Sequence, residues 1–372
     1  MDRKILVGFI MDGKAGGIDR YLLNFLENVW DDEMQIDFLS NEVDGDLKEY
    51  LKKYHSRIFP IANLRHPVSQ FRQVKQLIKA EDYDMVYLNI STAIDCIAAM
   101  AASRCRIPRI LIHSHSSGND CENIGKRKVL DGIHYFCRSF LYRFGTEYYG
   151  CSKKAGEWMF PKKIVDSPRF HTIFNAIDMK KFSFNDVLRR ETRKELKIED
   201  RFVIGHVGNF CYQKNQEYLL EVFEEIHRKC PKALLLMAGK GPRFEKIKKM
   251  ADEKGLGDCV IMTGFRKDVY RLFQAMDFFV LPSNFEGLPT VGVEAQCSGL
   301  PCLMSSRITE EARITENCWF MSLKDKPEQW ADFILAHRQK DRAGIKWLGN
   351  KENYSLENLK IQQIKQLVKG ME

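Results

Sequence analysis

The chain has 372 residues, 44% of them apolar and 29% charged, with a net charge of +8; this describes a soluble globular protein with room for two domains. Its longest mostly apolar stretches, "AIDCIAAMAAS" and "DFFVLP", fall short of the roughly 20 residues a spanning helix needs. Eleven scattered cysteines lack C-x-x-C or Cys/His spacing, which excludes a zinc framework and argues against a disulfide scaffold.

From the N-terminus, "KILVGFI" reads as a strand and leads into "GKAGGIDRY". There Gly13, Gly16 and Gly17 precede a helix, and glycines let a backbone approach a phosphate or sugar closely. The pattern is not G-x-G-x-x-G, and a structural turn explains it as well. Further strands are expected at "QIDFLS", "RIFPI", "MVYLNI", "RILIHSH", "EYYGCS" and "HTIFNAI". Between them "IDRYLLNFLENVW", "DLKEYLKKY", "SQFRQVKQLIKAE" and "TAIDCIAAMAASRC" carry apolar residues at helical spacing. Asp44-Gly45-Asp46 has the Asp-x-Asp form of a metal motif, but it precedes a helix, and capping explains it better. No metal and no cofactor is expected.

Two basic stretches stand out in this half. Lys52, Lys53, Arg57, Arg65, Arg72, Lys75 and Lys79 follow one another without an acid, and Lys126, Arg127, Lys128, Arg138 and Arg143 are mixed with aromatic residues. They read either as solvated helix faces or as contacts to an anionic membrane or a polyphosphate acceptor. No nucleic-acid module accompanies them.

Strand–helix alternation resumes with "RFVIGHVG", "KALLLMAG", "CVIMTGF", "DFFVLPS" and "PCLMSS" as strands. Near-continuous apolar strands argue for parallel sheets covered on both faces. The charged stretch "NAIDMKKFSFNDVLRRETRKELKIED" loses the strand pattern and marks the joint. The expected domains are 1–185, 186–345 and a helical tail, 346–372, that packs back on the first domain. A cytoplasmic location is expected from the cysteine usage and from the lack of a signal-peptide pattern.

In open parallel sheets, ligands bind beyond the C-terminal strand ends. Lys214 in "GNFCYQKNQEYLL" stands there, suited to neutralising a diphosphate. "AGKGPRFEKI" lacks the Lys-Ser/Thr of a P-loop, which argues against nucleoside triphosphate hydrolysis. The richest signal is "NFEGLPTVGVEAQCSGLPCLMSS". Glu286 is expected on a loop and Glu294 about one turn into a helix whose first amides favour an anion. A carboxylate in so apolar a run needs partners, and sugar or ribose hydroxyls are good ones.

"FVLPSNFEGLPTVGVEAQCSGLPCLMSS" resembles the family 4 glycosyltransferases, retaining nucleotide-sugar enzymes of the GT-B fold, and is most similar to members that build bacterial capsular, exopolysaccharide or lipopolysaccharide chains. "RILIHSHS", "GCSKKAGEWMF", "HTIFNAID", "GHVGNFCYQKNQ", "MAGKGP" and "TGFRKDV" extend the resemblance over nearly the whole chain. It implies two Rossmann-like α/β domains facing a central cleft, and transfer of a sugar from a nucleoside diphosphate, UDP first, to a glycan hydroxyl on a lipid-linked acceptor at the inner face of the plasma membrane.

The resemblance also implies roles. Glu286 would hold donor-sugar hydroxyls, Glu294 the ribose, and Lys214 with the amides near Gly287, Leu288, Thr290 and Val291 the diphosphate. The loop from Gly264 through Arg266 to Val269 would meet the base. His115, favoured over His113, would lie near the donor sugar, and Gly16 and Gly17 would make room for diphosphate and acceptor. Where many members carry arginine this chain has Asn209, leaving Lys214, the helix amides and Arg266 or Lys240 to neutralise the leaving group. Two alternatives stand beside the transferase: a non-catalytic nucleotide-sugar-binding subunit and an epimerase of the same fold.

Overall fold

The computed structural model describes residues 3–11, 16–338, 342 and 344–368; Gly13 lies outside them. The chain forms two units. The first comprises residues 1–119, 123–175 and 356–372, and the second residues 120–122 and 176–355.

The first unit is a seven-stranded sheet of β1 (Arg3–Gly8), β2 (Met34–Ser40), β3 (Ile58–Pro60), β4 (Met85–Ile90), β5 (Arg109–Ser114), β6 (Glu147–Gly150) and β7 (Phe170–Thr172), in the order β3-β2-β1-β4-β5-β6-β7. All its pairings are parallel. Residues alternate across its two faces. Leu6, Val86, Leu88, Ile110 and Ile112 pack with Val74, Ile78, Ala98, Cys137 and Leu141 of the helices. Tyr87 and His113 meet Tyr21 of the helix Gly17–Val29 on the other face. Such two-sided burial is why these strands read as continuous apolar runs.

The second unit is a six-stranded parallel sheet of β8 (Phe202–Val207), β9 (Ala233–Ala238), β10 (Val260–Met262), β11 (Phe278–Leu281), β12 (Cys302–Ser305) and β13 (Cys318–Met321), in the order β10-β9-β8-β11-β12-β13. Both units are therefore doubly wound α/β folds, the architecture of GT-B, and each reverses strand order beside its first strand. That reversal opens a crevice at the C-terminal strand ends.

Two expectations are corrected, the boundary and the tail. The expected boundary at 185 moves to 175, because Phe182 packs on Phe273 and Gln274 bonds both Asn185 and Ser183. The charged joint contains a helix, Asp186–Glu195, whose Arg193 is buried and bonds Ala275 and Asp277. The tail joins the first unit only from 356 onward; Trp347 still bridges Thr315, and the Tyr354 carbonyl accepts from Ile177. Asp44 is the N-cap expected of it, accepting from the Leu47 amide at 2.9 Å.

Candidate functional site

The reversal point of the second unit lies between β8 and β11, and the loops after these strands carry Lys214 and Glu286. Lys214 Nζ donates to Glu286 Oε1 at 2.6 Å. Ser283 Oγ donates to the same oxygen at 2.7 Å, and Gln213 Nε2 to Oε2 at 3.0 Å. The pair is buried, with side-chain exposures of 13% and 6%. An ion pair so placed is held by geometry and by its added hydrogen bonds. Ser283 and Gln213 went unnoticed in the sequence, although Ser283 stands in the quoted motif three residues before Glu286.

Gly208 makes this geometry available. A Cβ there would lie 2.9 Å from Lys214 Cε and 3.1 Å from its Cδ, so the bare backbone lets the lysine stem lie across it. Below the loop, Gln216 Nε2 donates to the Asn209 carbonyl at 2.9 Å and bonds His206 Nε2 at 3.2 Å. His206 Nδ1 in turn donates to the Val280 carbonyl of β11 at 3.0 Å. One ring nitrogen donating and one accepting describes a neutral imidazole, and burial pushes its pKa down to about 4. Asn209 itself has an exposed side chain. Residues 120–122 brace the loop from outside: Asp120 accepts from the Gln213 amide, and Glu122 from the Tyr212 amide and Arg243.

The helix Thr290–Cys297 starts where Pro289 ends the turn after β11. Gly287 and Leu288 are buried in that turn, and Thr290 and Val291 open the first turn half-buried. Glu294 is 4% exposed, one turn in. Gln296 anchors the helix, accepting from the Ile314 and Thr315 amides and donating to the Ala312 carbonyl.

Arg266 is held by its neighbour Asp268, with N–H groups left over. It donates to both oxygens of Asp268, each at 2.7 Å, a bidentate arrangement that holds the guanidinium strongly. Gly264 has φ of +70° and its carbonyl accepts from Gly239 at 2.9 Å. Val269 starts the next helix. Lys240 stands 5.4 Å from the ring of Phe265, itself 55% exposed.

The remaining candidates belong to the first unit. Gly16 is the N-cap of the helix that Gly17 begins. His115 follows β5, bonding Asn89 Oδ1 through Nε2 at 2.8 Å, while His113 Nδ1 meets the Tyr87 hydroxyl at 2.6 Å. Asn89 also lines a cavity of about 640 Å³ with Asp19, Asn41, Asn63, Arg65 and Asp95, at this unit's own reversal point. Among the described residues no group of His, Cys, Asp and Glu could hold a metal ion.

Burial makes this unit acid-sensitive. It pushes His115 down to about 3, His134 to about 4 and His113 well below its ordinary value. It raises Asp95 to about 6. Near pH 5 the unfolded chain protonates these three histidines and the folded unit does not, whereas Asp95 holds its proton only when folded. The net uptake on unfolding is about two protons, so stability should fall by roughly 3 kcal/mol per pH unit as pH drops below the unfolded histidine value. Urea unfolding between pH 7 and pH 5 measures the slope, and a flat profile contradicts it.

Both halves of the chain are similar to known proteins. The model for Glycosyltransferase Family 4 matches residues 15–181, and that for Glycosyl transferases group 1 matches residues 189–317. The Bacillus subtilis (strain 168) protein EpsF, named as a glycosyltransferase, is 29% identical over 329 residues, which cover 86% of this chain and 84% of that one. An Escherichia coli UDP-Gal:alpha-D-GlcNAc-diphosphoundecaprenol alpha-1,3-galactosyltransferase is 27% identical over 301 residues, covering 78% and 76%. The fold matches that of the Anabaena protein HepE in complex with UDP-glucose with a TM-score of 0.75, over 98% of this chain and 99% of that one, at 18% identity.

Proposed function

The chain belongs to the GT-B glycosyltransferases related to enzymes of capsular, exopolysaccharide and lipopolysaccharide synthesis, and from that premise we propose that it moves a sugar, with retained configuration, from a UDP-sugar to a hydroxyl of a lipid-linked glycan. The observation that carries this reading is the Lys214–Glu286 pair beside the start of the helix Thr290–Cys297. Binding of UDP-linked sugars is stated for the relatives from Escherichia coli and Anabaena, and it supports UDP as the first nucleotide to try.

An ammonium carries three N–H groups, so Lys214 can keep Glu286 with one and meet the diphosphate with the others. Together with the amides of the helix start it would stabilise charge developing on the leaving nucleotide. Glu286, held by Ser283, Gln213 and Lys214, would orient sugar hydroxyls rather than attack carbon, so the reading has no covalent sugar–enzyme intermediate. Glu294 would take the ribose, and neutral His115 would act as a hydrogen-bonding group toward the donor sugar rather than as a cation. The cavity at the first unit's reversal point, lined by polar and apolar side chains alike, would hold the acceptor.

Thermal unfolding with a panel of nucleotides and nucleotide-sugars, on wild type and Glu294→Ala, tests the site. A matching donor at 100 times its Kd should stabilise the wild type by about 2.7 kcal/mol, and the shift should disappear in the variant. No stabilisation by any nucleotide-sugar would overturn the reading.

A further inference from the structure

Asn89 is an amide in the middle of an apolar sheet. It lies in β4, the central strand of the first unit, between Leu88 and Ile90, and is 2% exposed. Asparagine is depleted in strands, and a buried amide costs free energy unless its groups are bonded. Its Oδ1 meets His115 Nε2 at 2.8 Å. Its Nδ2 faces the Tyr87 carbonyl at 3.5 Å, so turning the amide over would set oxygen against oxygen. An amide oxygen only accepts, and His115 Nε2 therefore carries the hydrogen.

The consequence falls on the other ring nitrogen. Burial pushes His115 down to about 3, so at neutral pH the imidazole has one N–H, and Asn89 holds it on Nε2. Nδ1 is left with a lone pair, buried and without a hydrogen-bond partner among the described residues. A buried acceptor left unmet is uncommon and calls for a reason. Packing holds the ring in this pose. His113 and Tyr21 stand against it with ring centroids at 4.1 and 5.1 Å, and the His115 amide donates to the Ile90 carbonyl at 3.1 Å.

We propose that Asn89 is a positioning residue for His115: by keeping the hydrogen on Nε2 it makes Nδ1 a hydrogen-bond acceptor, which selects a donor sugar presenting a hydroxyl there over one presenting a carboxylate. The selection rests on the reading of His115 as a neighbour of the donor sugar; the tautomer does not. A hydroxyl can donate to Nδ1 and an ionised carboxylate cannot. The sugar would then be a neutral hexose or N-acetylhexosamine rather than a hexuronate.

Ring ¹⁵N spectra of the full chain with labelled histidine test the tautomer at pH 7, the His115 signals being those missing from His115→Gln. Wild type should show a protonated Nε2 and a bare Nδ1. In Asn89→Leu the two tautomers should mix, and in Asn89→Asp the added carboxylate should keep both nitrogens protonated. Binding of UDP, UDP-glucose and UDP-glucuronate tests the selection. Wild type should hold UDP-glucose about tenfold or more tighter than UDP-glucuronate. Asn89→Leu should cut the preference for UDP-glucose over UDP about tenfold, the worth of one hydrogen bond, while UDP affinity stays within about twofold. Asn89→Asp should narrow the preference for UDP-glucose over UDP-glucuronate by about tenfold, because Nδ1 has become a charged donor. Neither change should alter binding further in a His115→Gln background.

A hydrogen on Nδ1 in wild type overturns the proposal, as does an Asn89→Leu spectrum identical to wild type or a wild-type preference for UDP-glucuronate. Equal losses of UDP and UDP-glucose in Asn89→Leu also overturn it, since a merely structural residue would give that result. Should Asn89→Leu fail to fold, the Asn89→Asp spectrum and preference decide. No binding of any UDP compound by a wild type with the expected spectrum would sink the transferase reading alone.

Discussion

Lys214→Ala should lower the initial rate of sugar transfer by about 10²–10³-fold, mostly in kcat, because in the proposed reaction it removes the preorganised charge that would meet the leaving diphosphate. The same change should also destabilise the donor-free protein. Glu286 is 6% exposed and would lose its cation, and breaking a buried pair from one side costs about 3–5 kcal/mol. The two effects can be separated. Lys214→Met/Glu286→Leu removes both charges, so it should recover most of the stability while transfer stays lost. Glu286→Gln keeps one acceptor oxygen for Lys214 and Ser283 but loses the Gln213 bond and the opposing charge, so it should melt between wild type and Lys214→Ala and still transfer slowly. Transfer by Lys214→Ala within tenfold of wild type would remove the lysine from the mechanism.

The second large effect is structural. Gly239 follows β9 with φ of +148°, and a Cβ there would lie 1.9 Å from the Gly208 carbonyl oxygen. No side-chain rotation can relieve a contact with backbone. The strand-end loops are also tied together: Gly208 donates to Ala238, Phe210 to Lys240 and Gly239 to Gly264. Gly239→Ala must therefore push the Gly208 loop, and with it Lys214, out of place. We expect a loss above about 4 kcal/mol, the range of severe core defects, seen as a collapsed urea midpoint for the second unit. Gly255→Ala is the control. Its φ is +68° but a Cβ meets nothing within 4 Å, so it should cost only the left-handed strain of about 1–2 kcal/mol. Equal stabilities for the two variants would show that the close approach of these loops is dispensable.

These two predictions draw on different kinds of knowledge. Lys214, Glu286 and Glu294 were legible as candidates from the sequence, because a carboxylate in an apolar run and a lysine after a buried strand are local anomalies. The parallel α/β architecture was legible for a similar reason: two-sided burial leaves continuous apolar strands between helix-period segments. Asp44 also read correctly as a cap, since capping acts within three residues.

What the sequence left open depends on residues far apart along the chain. Lys214 and Glu286 appeared as separate ligands for separate parts of a donor; only the adjacency of β8 and β11 puts them 2.6 Å apart. The pairing of Arg266 with Asp268 was not read either, since nothing in the local sequence distinguishes it from two solvated charges. The glycines of "MAGKGP" carried no stated purpose, because their partner is the backbone of a loop some thirty residues earlier. The edge strand β13, four residues long and partly exposed, had too weak a pattern to register, and the boundary near 175 follows from Phe182 and Asn185 packing on residues about ninety positions away. Composition, periodicity and capping are properties of neighbours in sequence, so the sequence by itself determined the fold class and offered the candidate residues. Strand order and loop-to-loop packing are properties of the closed tertiary structure, whose burial energy is shared across the chain, so it alone decided which of those residues meet.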